Sequence, residues 1–549
     1  MSTTFTRTLG MLALSAGLAL ASSCTKDLDQ VPDYSANAEV VYRDPVQIQQ
    51  VLARLYATFA VSGQRGPAGG PDIAGIDEGF SNYLRGYWQM EEITTDEAIL
   101  GWNDGNLKSV NTLQWNADNE FVRAIYDRIY FQISLCNEFI RQTSDAKLAE
   151  RGIAGNEAGA VRTYRAEARF LRALSYWHSV DFFGGGPFAT ETSAIGTTPP
   201  YRSRADVFAF IESELKDLDA TGVLLAPRAV YARADQAACW TLLTKLYLNA
   251  RVYTGTERAT DAITYAKKVL AAGYSLSNTP VTNATTGFRS NGYEQLFLAD
   301  NDKTDARNEI IFPITFDGIR TQGYGGMTYL VHASTGRAIS PSSMGINGGW
   351  SGLRTKPNLN NLFPGGATGT TDARQRLFFT SKQNPSVDSL DQFSSGVLST
   401  KYRNVTSMGE GGKDSQAKGG SGNFVDPDFP MFRLADVQLM YAEAVLRGGT
   451  GGTSADALTY VNAIRARSGA TPLTAIVLND ILDERGRELF WEGHRRTDLI
   501  RFGKYTTGYN WPFKGGVRAG ADVAPTRVLF PIPNTNRVVN ANLPQNEGY

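Results

Sequence analysis

Apolar residues recur at every third and fourth position over several long stretches, the spacing that gathers them on one face of an α-helix. Within residues 203–220, Val207, Ile211, Leu215 and Leu218 share a face. Ser203 and Asp206 have capping-box spacing, in which each side chain satisfies an orphan N–H of the first turn. Residues 161–183 carry Tyr164, Ala168, Leu171 and Leu174 as a stripe and stop at Gly184-Gly185-Gly186-Pro187, where glycine freedom and the missing proline donor end a helix. Two helices then follow, about 235–253 with Cys239, Leu243, Leu246 and Ala250 on one face, and 258–272 closed by Gly273. The plan repeats downstream: Leu434, Val437, Tyr441 and Ala444 mark one helix, 448–452 a glycine-rich turn, and Thr453 with Asp456 caps a second helix carrying Val461 and Ile464. Each pair takes about 37 residues, close to the ~34 of tetratricopeptide-type hairpins. The hallmark side chains of those hairpins are absent, so the prediction concerns geometry: helix pairs stacked into a curved scaffold.

Between Ser275 and Pro430 the pattern shortens to apolar strings such as Ile310-Ile311-Phe312-Pro313-Ile314, separated by Gly, Asn, Ser and Thr. Such a stretch makes loops and small strands, where ligand-contacting groups are usually displayed. The fold class expected is therefore mainly α, a tetratricopeptide-like superhelical scaffold with a loop-rich, minor-β ligand-binding layer. Its parts are an N-terminal helical region at about 38–275, the loop-rich region at about 276–430 packed on the helices as a second layer, and a C-terminal helical region at about 431–549.

Composition narrows the chemistry. With 54 basic against 55 acidic residues there is no excess of Lys and Arg to hold phosphates, which argues against nucleic acid. Three cysteines (Cys24, Cys136, Cys239) are too few for a disulfide framework, and Cys136 and Cys239 read as small core residues. His178, His332 and His494 lie far apart without other ligands at metal spacing, so no metal or cofactor is expected. The pairs Glu91-Glu92 and Asp96-Glu97 would suit glycoside hydrolysis only if they flanked a substrate, and adjacent acids arise by chance among 55. Gly412-Lys413 lacks the preceding glycine and the following Ser or Thr of a phosphate loop, having Ser407 and Asp414 there. Gly184, Gly186 and Ala189 follow a helix where a dinucleotide fingerprint needs a strand. Glu492 and Arg496 around His494 read as a salt-bridged helix surface. The unexplained surplus is aromatic, 11% of the chain, together with 55 glycines.

Residues 1–23 carry one base, Arg7, no acid, and an apolar run from Leu9 to Ala21 of about 13 residues, too short to span a bilayer. The run ends in small residues before Cys24, the pattern of an export signal. Cys24 after Leu-Ala-Ser-Ser resembles a bacterial lipoprotein processing site, where this cysteine becomes the lipidated N-terminus of a chain comprising residues 24–549. The polar segment after it, with Lys26, Asp27 and Asp29, resembles the surface-export tether of some outer-membrane lipoproteins.

Four segments, taken in order, resemble the SusD/RagB family of outer-membrane nutrient-binding lipoproteins. They are Arg165-Ala166-Glu167-Ala168-Arg169-Phe170-Leu171-Arg172-Ala173 running to Phe183-Gly184, and Phe432-Arg433-Leu434-Ala435-Asp436-Val437 with Tyr441-Ala442-Glu443-Ala444. Next are Glu484-Arg485-Gly486-Arg487-Glu488-Leu489 with 492–499, and Pro531-Ile532-Pro533 with 543–549. The resemblance implies a non-catalytic binder of oligosaccharide or polysaccharide, anchored by lipid at the cell surface in the outer membrane of a Gram-negative bacterium. It also implies a partner, a SusC-like TonB-dependent transporter. The Arg and Glu residues of these motifs read as structural, because they lie on packed helices.

The ligand residues lie elsewhere. Thr95-Asp96-Glu97-Ala98-Ile99 with Trp102-Asn103-Asp104-Gly105, and Asp317-Gly318-Ile319 with Gly323-Tyr324-Gly325-Gly326, are similar to the starch-binding branch of that family. In that branch three aromatic side chains cradle a helical α-glucan, and the resemblance assigns those places to Trp102, Tyr324 and Trp350. It assigns a sugar-contacting arginine to Arg85, and a polar partner after Trp102 to Asn103, Asp104 or Asn106. Rings flanked by Gly and Asn suit this use independently, since a pyranose has an apolar C–H face and hydroxyls that need polar partners. Other cargoes in the same role are a fructan, a host glycan or a peptide; a glycoside hydrolase is the enzymatic alternative.

Overall fold

Helix ends in the computed structural model, which describes residues 38–67 and 70–549, are set mainly by the residues expected to set them. Cys24 and the export segment lie outside the described residues. Helix Arg204–Leu218 starts from the capping box of Ser203 and Asp206 and buries Val207, Ile211, Leu215 and Leu218. Helix Gly155–Phe183 begins earlier than its stripe predicts and stops at Gly184, whose φ of 73° is outside the helical region. Thr453 caps Ser454–Arg467 through the Asp456 N–H. One prediction needs correction: 235–253 is two helices, Gln236–Leu248 and Ala250–Thr254. At the break the Asn249 side chain donates to the Lys245 carbonyl at 2.9 Å while its backbone leaves the helix at φ −94°, ψ 3°. Asparagine offers the main chain that local alternative.

The helices form one array. Glu120–Gln142, Gly155–Phe183, Arg204–Leu218, Gln236–Leu248 and Ala259–Leu270 each pack on the one before. Leu434–Leu446 then packs directly on Ala259–Leu270, and both Ser454–Arg467 and Leu478–Leu489 pack on Leu434–Leu446. The two hairpins found by periodicity are thus neighbours, joined also by Lys267 donating to the Gly451 carbonyl at 3.2 Å. The chain leaves the array after Leu270 and re-enters it at Leu434. Near those exits, strand Ile310–Ile314 pairs antiparallel with Phe429–Arg433, with Pro313 opposite Pro430 at an irregular register. Prolines are tolerated there because a two-stranded ladder consists of edges. Phe312, Leu330, Val331, Val397 and Leu398 of the intervening stretch belong to the same hydrophobic cluster as the helices.

Buried ion pairs tie the two layers together. Arg374 meets Glu484 at 2.8 Å and Glu488 at 2.9 Å; Lys401 meets Glu492 at 2.7 Å; Arg433 meets Glu309 at 2.8 Å and Glu488 and Glu492 at 2.6 Å. All these side chains are 0–1% exposed. Charges so buried persist only when paired, and removing one partner strands the other. Burial alone would raise the carboxyls of Glu484 and Glu488; the surrounding arginines outweigh it and hold both at about 2. The surface reading of Glu492, His494 and Arg496 is therefore overturned: they are 0%, 6% and 0% exposed. Trp491 (φ 64°) and Gly493 (φ 77°) turn the chain before helix Arg495–Arg501 starts, so Glu492 and Arg496 share no helix face. Arg496 instead pairs with Asp181 at 2.8 Å. Cys136 and Cys239 are buried, with no disulfide among the described residues.

Candidate functional site

A short antiparallel ladder assembles the rings. Strand Ala98–Leu100 pairs with Leu353–Thr355, Leu100 opposite Leu353, and the Gly101 N–H continues the ladder to the Gly352 carbonyl at 3.0 Å. Trp102, the next residue, therefore meets the turn before the second strand, and its indole N–H donates to the Ser351 carbonyl at 2.9 Å. On that turn the Trp350 N–H donates to the His332 carbonyl at 2.8 Å, fastening it to helix Gly326–Ser334. Tyr324 lies just before the same helix. Its approach depends on Gly325, where a Cβ would stand 2.2 Å from Cβ of Asn82.

The three rings form an unbroken series. Trp102 to Trp350 and Trp350 to Tyr324 each measure 6.3 Å between ring centroids, with planes turned by 51° and 53°. All three are half-buried. Beneath them lie residues not anticipated from sequence: His332 stacks on Trp350 at 4.6 Å, Tyr329 meets Trp102 edge-on at 5.7 Å, and Phe424 packs on Tyr324 at 5.6 Å. Burial lowers the pKa of His332, and its Nε2 donates to the Asn423 carbonyl at 2.7 Å.

Arg85 joins this group. It sits on helix Tyr83–Trp88, which Asn82 caps by accepting the Arg85 N–H at 3.0 Å, and it is 7% exposed. Its guanidinium lies 4.4 Å from the Tyr329 ring and 5.5 Å from Trp102. Its Nε is buried without a hydrogen-bond partner among the described residues. Burial lowers its pKa, opposed by Tyr329, Asp77 and Asp104. Asp77 was not legible as a site residue; it comes near through the turn it stabilises, accepting the N–H groups of Gly79 (2.8 Å) and Phe80 (3.1 Å). Asn103 and Asp104 are exposed beside Trp102. The Asn106 side chain is instead engaged with the Asp118 carbonyl (3.4 Å) and the Glu120 N–H (3.3 Å) at the start of another helix.

The carboxylate pairs considered for hydrolysis are held in the core. Asp96 accepts from Arg495 and Tyr509, Glu97 from the Trp491 N–H, Glu92 from the Gly493 N–H and Glu91 from Thr497. None is more than 2% exposed. The chemistry on offer is recognition: apolar ring faces, a buried cation and a polar rim.

The molecule is thus a stacked helical-hairpin array with an inserted loop-rich layer, and an aromatic arc forms where that layer pairs with strand Ala98–Leu100. The sequence pattern of the SusD family matches residues 375–549. The starch-binding protein SusD of Bacteroides thetaiotaomicron is 32% identical, with 98% of this chain and 97% of that protein aligned. The chain belongs to the SusD family. Solved structures agree on the fold: the surface glycan-binding protein A of Bacteroides fluxus (19% identity, 92% of this chain and 99% of that one, TM-score 0.66) and a SusD superfamily protein of Parabacteroides distasonis (22%, 92% and 98%, 0.66).

Proposed function

We propose that this protein is a non-catalytic cell-surface lipoprotein that captures a starch-like α-glucan and delivers it to a SusC-like TonB-dependent outer-membrane transporter. The observation that carries the reading is the series Trp102–Trp350–Tyr324 with the Arg85 guanidinium beside Trp102, its Nε without a hydrogen-bond partner among the described residues. Sugar C–H faces pack on the rings, and hydroxyls meet Asn103 and Asp104 at the rim and Arg85 deeper beside Trp102. Neighbouring ring planes are inclined by about 50° rather than coplanar, which suits a coiling α-glucan better than a flat ribbon. The relative named as starch-binding supports the same cargo. Near-neutral charge, −1 overall, suits a neutral polysaccharide, which offers no charge to complement.

Anchoring rests on Cys24: each buried acyl methylene contributes about 0.8 kcal/mol, and several chains together hold a protein on a membrane. Among the described residues no helix is long and apolar enough to cross a bilayer. Affinity electrophoresis through gels containing starch, fructan or a host glycan tests the cargo: retardation by starch alone is expected, and migration unchanged in starch refutes it. Release of reducing sugar by the purified protein would favour the hydrolase instead. Co-purification from outer membranes with a large β-barrel is expected, and its absence counts against the transporter role.

A further inference from the structure

Beyond Trp102 the surface continues onto the 380–396 segment. Phe393 there is 38% exposed. A single exposed apolar residue is ordinary; Phe393 differs in its surroundings. Its ring edge lies against Gly101, the neighbour of Trp102, where a Cβ would stand 3.0 Å from Phe393 Cε1 and 2.3 Å from the Leu390 carbonyl oxygen. The Arg354 guanidinium packs 5.6 Å from the Phe393 ring, donates to the Leu390 carbonyl at 2.9 Å, and keeps Nε and Nη1 buried without hydrogen-bond partners among the described residues. Trp102 is backed by Arg85 in the same manner.

Two clefts meet at this ring. One, of about 500 Å³, runs from Trp102, Asn103 and Asp104 to Lys108, Asp391 and Phe393. The other, of about 470 Å³, continues from Phe393 past Ser351 to Arg337, Lys382 and Gln383. The segment is fixed by its own bonds: Asn384 N–H to the Ser394 carbonyl (2.7 Å), Gly396 N–H to the Asn384 carbonyl (2.8 Å) and Asp388 N–H to Ser395 Oγ (2.6 Å). Lys108 also pairs with Asp391 across the first cleft at 2.9 Å. A ring held this way is presented with little entropy left to lose on binding.

We propose that Phe393 is a fourth stacking ring, forming a subsite for a glycosyl unit of the same chain beyond Trp102. The proposal rests on the α-glucan reading. Polar groups on both sides, Asn103 and Asp104 in one cleft and Lys382 and Gln383 in the other, stand where the hydroxyls of that unit need partners. The subsite acts only on chains long enough to reach past the arc.

Calorimetric titration of the purified protein with a maltooligosaccharide ladder, maltotriose to maltoheptaose, tests this on wild type, Phe393→Ala, Phe393→Trp and Trp350→Ala. Phe393→Ala is expected to weaken maltoheptaose about fivefold, equal to about 1 kcal/mol, and to leave maltotriose unchanged. Phe393→Trp restores the longer chain's affinity, and Trp350→Ala weakens both. Equal effects of Phe393→Ala on both lengths, or none on either, overturn the subsite while the arc stands. A wild type that binds no member of the ladder overturns the α-glucan reading and the subsite with it.

Discussion

Gly352→Ala perturbs the arc without removing a ring. Gly352 has φ 104°, and a Cβ on it would stand 2.3 Å from Nε1 and 2.6 Å from Cδ1 of Trp102. Ordinary contact begins at 3.4 Å, so the indole must retreat by about 1 Å. That retreat breaks its 2.9 Å bond to the Ser351 carbonyl and opens the 6.3 Å spacing to Trp350. The unfavourable φ costs the fold about 1–3 kcal/mol, a modest loss of melting temperature for a chain this size. The displaced ring, treated as a partly lost aromatic anchor, costs about 1–2 kcal/mol of binding, or roughly 5- to 30-fold in Kd. Gly348→Ala is the control, since its Cβ meets nothing within 4 Å and its φ is not in the positive range. Calorimetry with maltoheptaose, paired with thermal melts, reads both effects. Wild-type affinity in folded Gly352→Ala protein would refute the claim that Trp102's position matters to binding.

Further outcomes follow from the same geometry. Trp350→Ala removes the ring that touches both others and is expected to weaken α-glucan binding by about 2 kcal/mol or more, read by the same titration. Arg85→Met is expected to lower affinity about tenfold, the scale of a charged hydrogen bond, in the same titration; unchanged affinity of the folded variant would contradict it. Glu488→Ala leaves Arg374, Arg433 and Arg467 short of an acceptor and is expected to destabilise by about 3–5 kcal/mol in denaturant titrations. Acid should act through the same group: with the folded carboxyls of Glu484 and Glu488 at about 2 and the unfolded value near 4.3, their stabilisation is complete above about 4.3. It is lost as pH falls toward 2, and unfolding midpoints flat across that window would contradict the pairing. Cys24→Ser should release the protein from membranes into the soluble fraction, measured by fractionation of expressing cells.

The local parts of the fold were legible because their causes are local. Ser203 and Asp206 cap a helix by contacts three residues apart, and the Leu434-Val437-Tyr441 stripe buries its face as expected. The stacking of Ala259–Leu270 on Leu434–Leu446 was not legible, since no periodicity announces which faces meet across an insertion. Charge pattern misled at Glu492 and Arg496: charged residues at helical spacing look solvated, and only the distant partners Lys401, Arg433 and Asp181 explain their burial. Within the site, the three rings came from resemblance, and Asn106 could not be told from Asn103 by sequence because its engagement with Glu120 is a matter of loop geometry. Asp77, Tyr329, His332 and Phe393 carry no motif: Tyr329 and His332 reach Trp102 and Trp350 from helix Gly326–Ser334, while loop contacts bring Asp77 near Arg85 and Phe393 beside Gly101.

Calorimetry of maltoheptaose against wild type and the Trp102→Ala, Trp350→Ala double variant reads out whether the ring series binds an α-glucan. Measurable binding by wild type and none by the folded double variant is the predicted result. Full binding by the double variant contradicts the site.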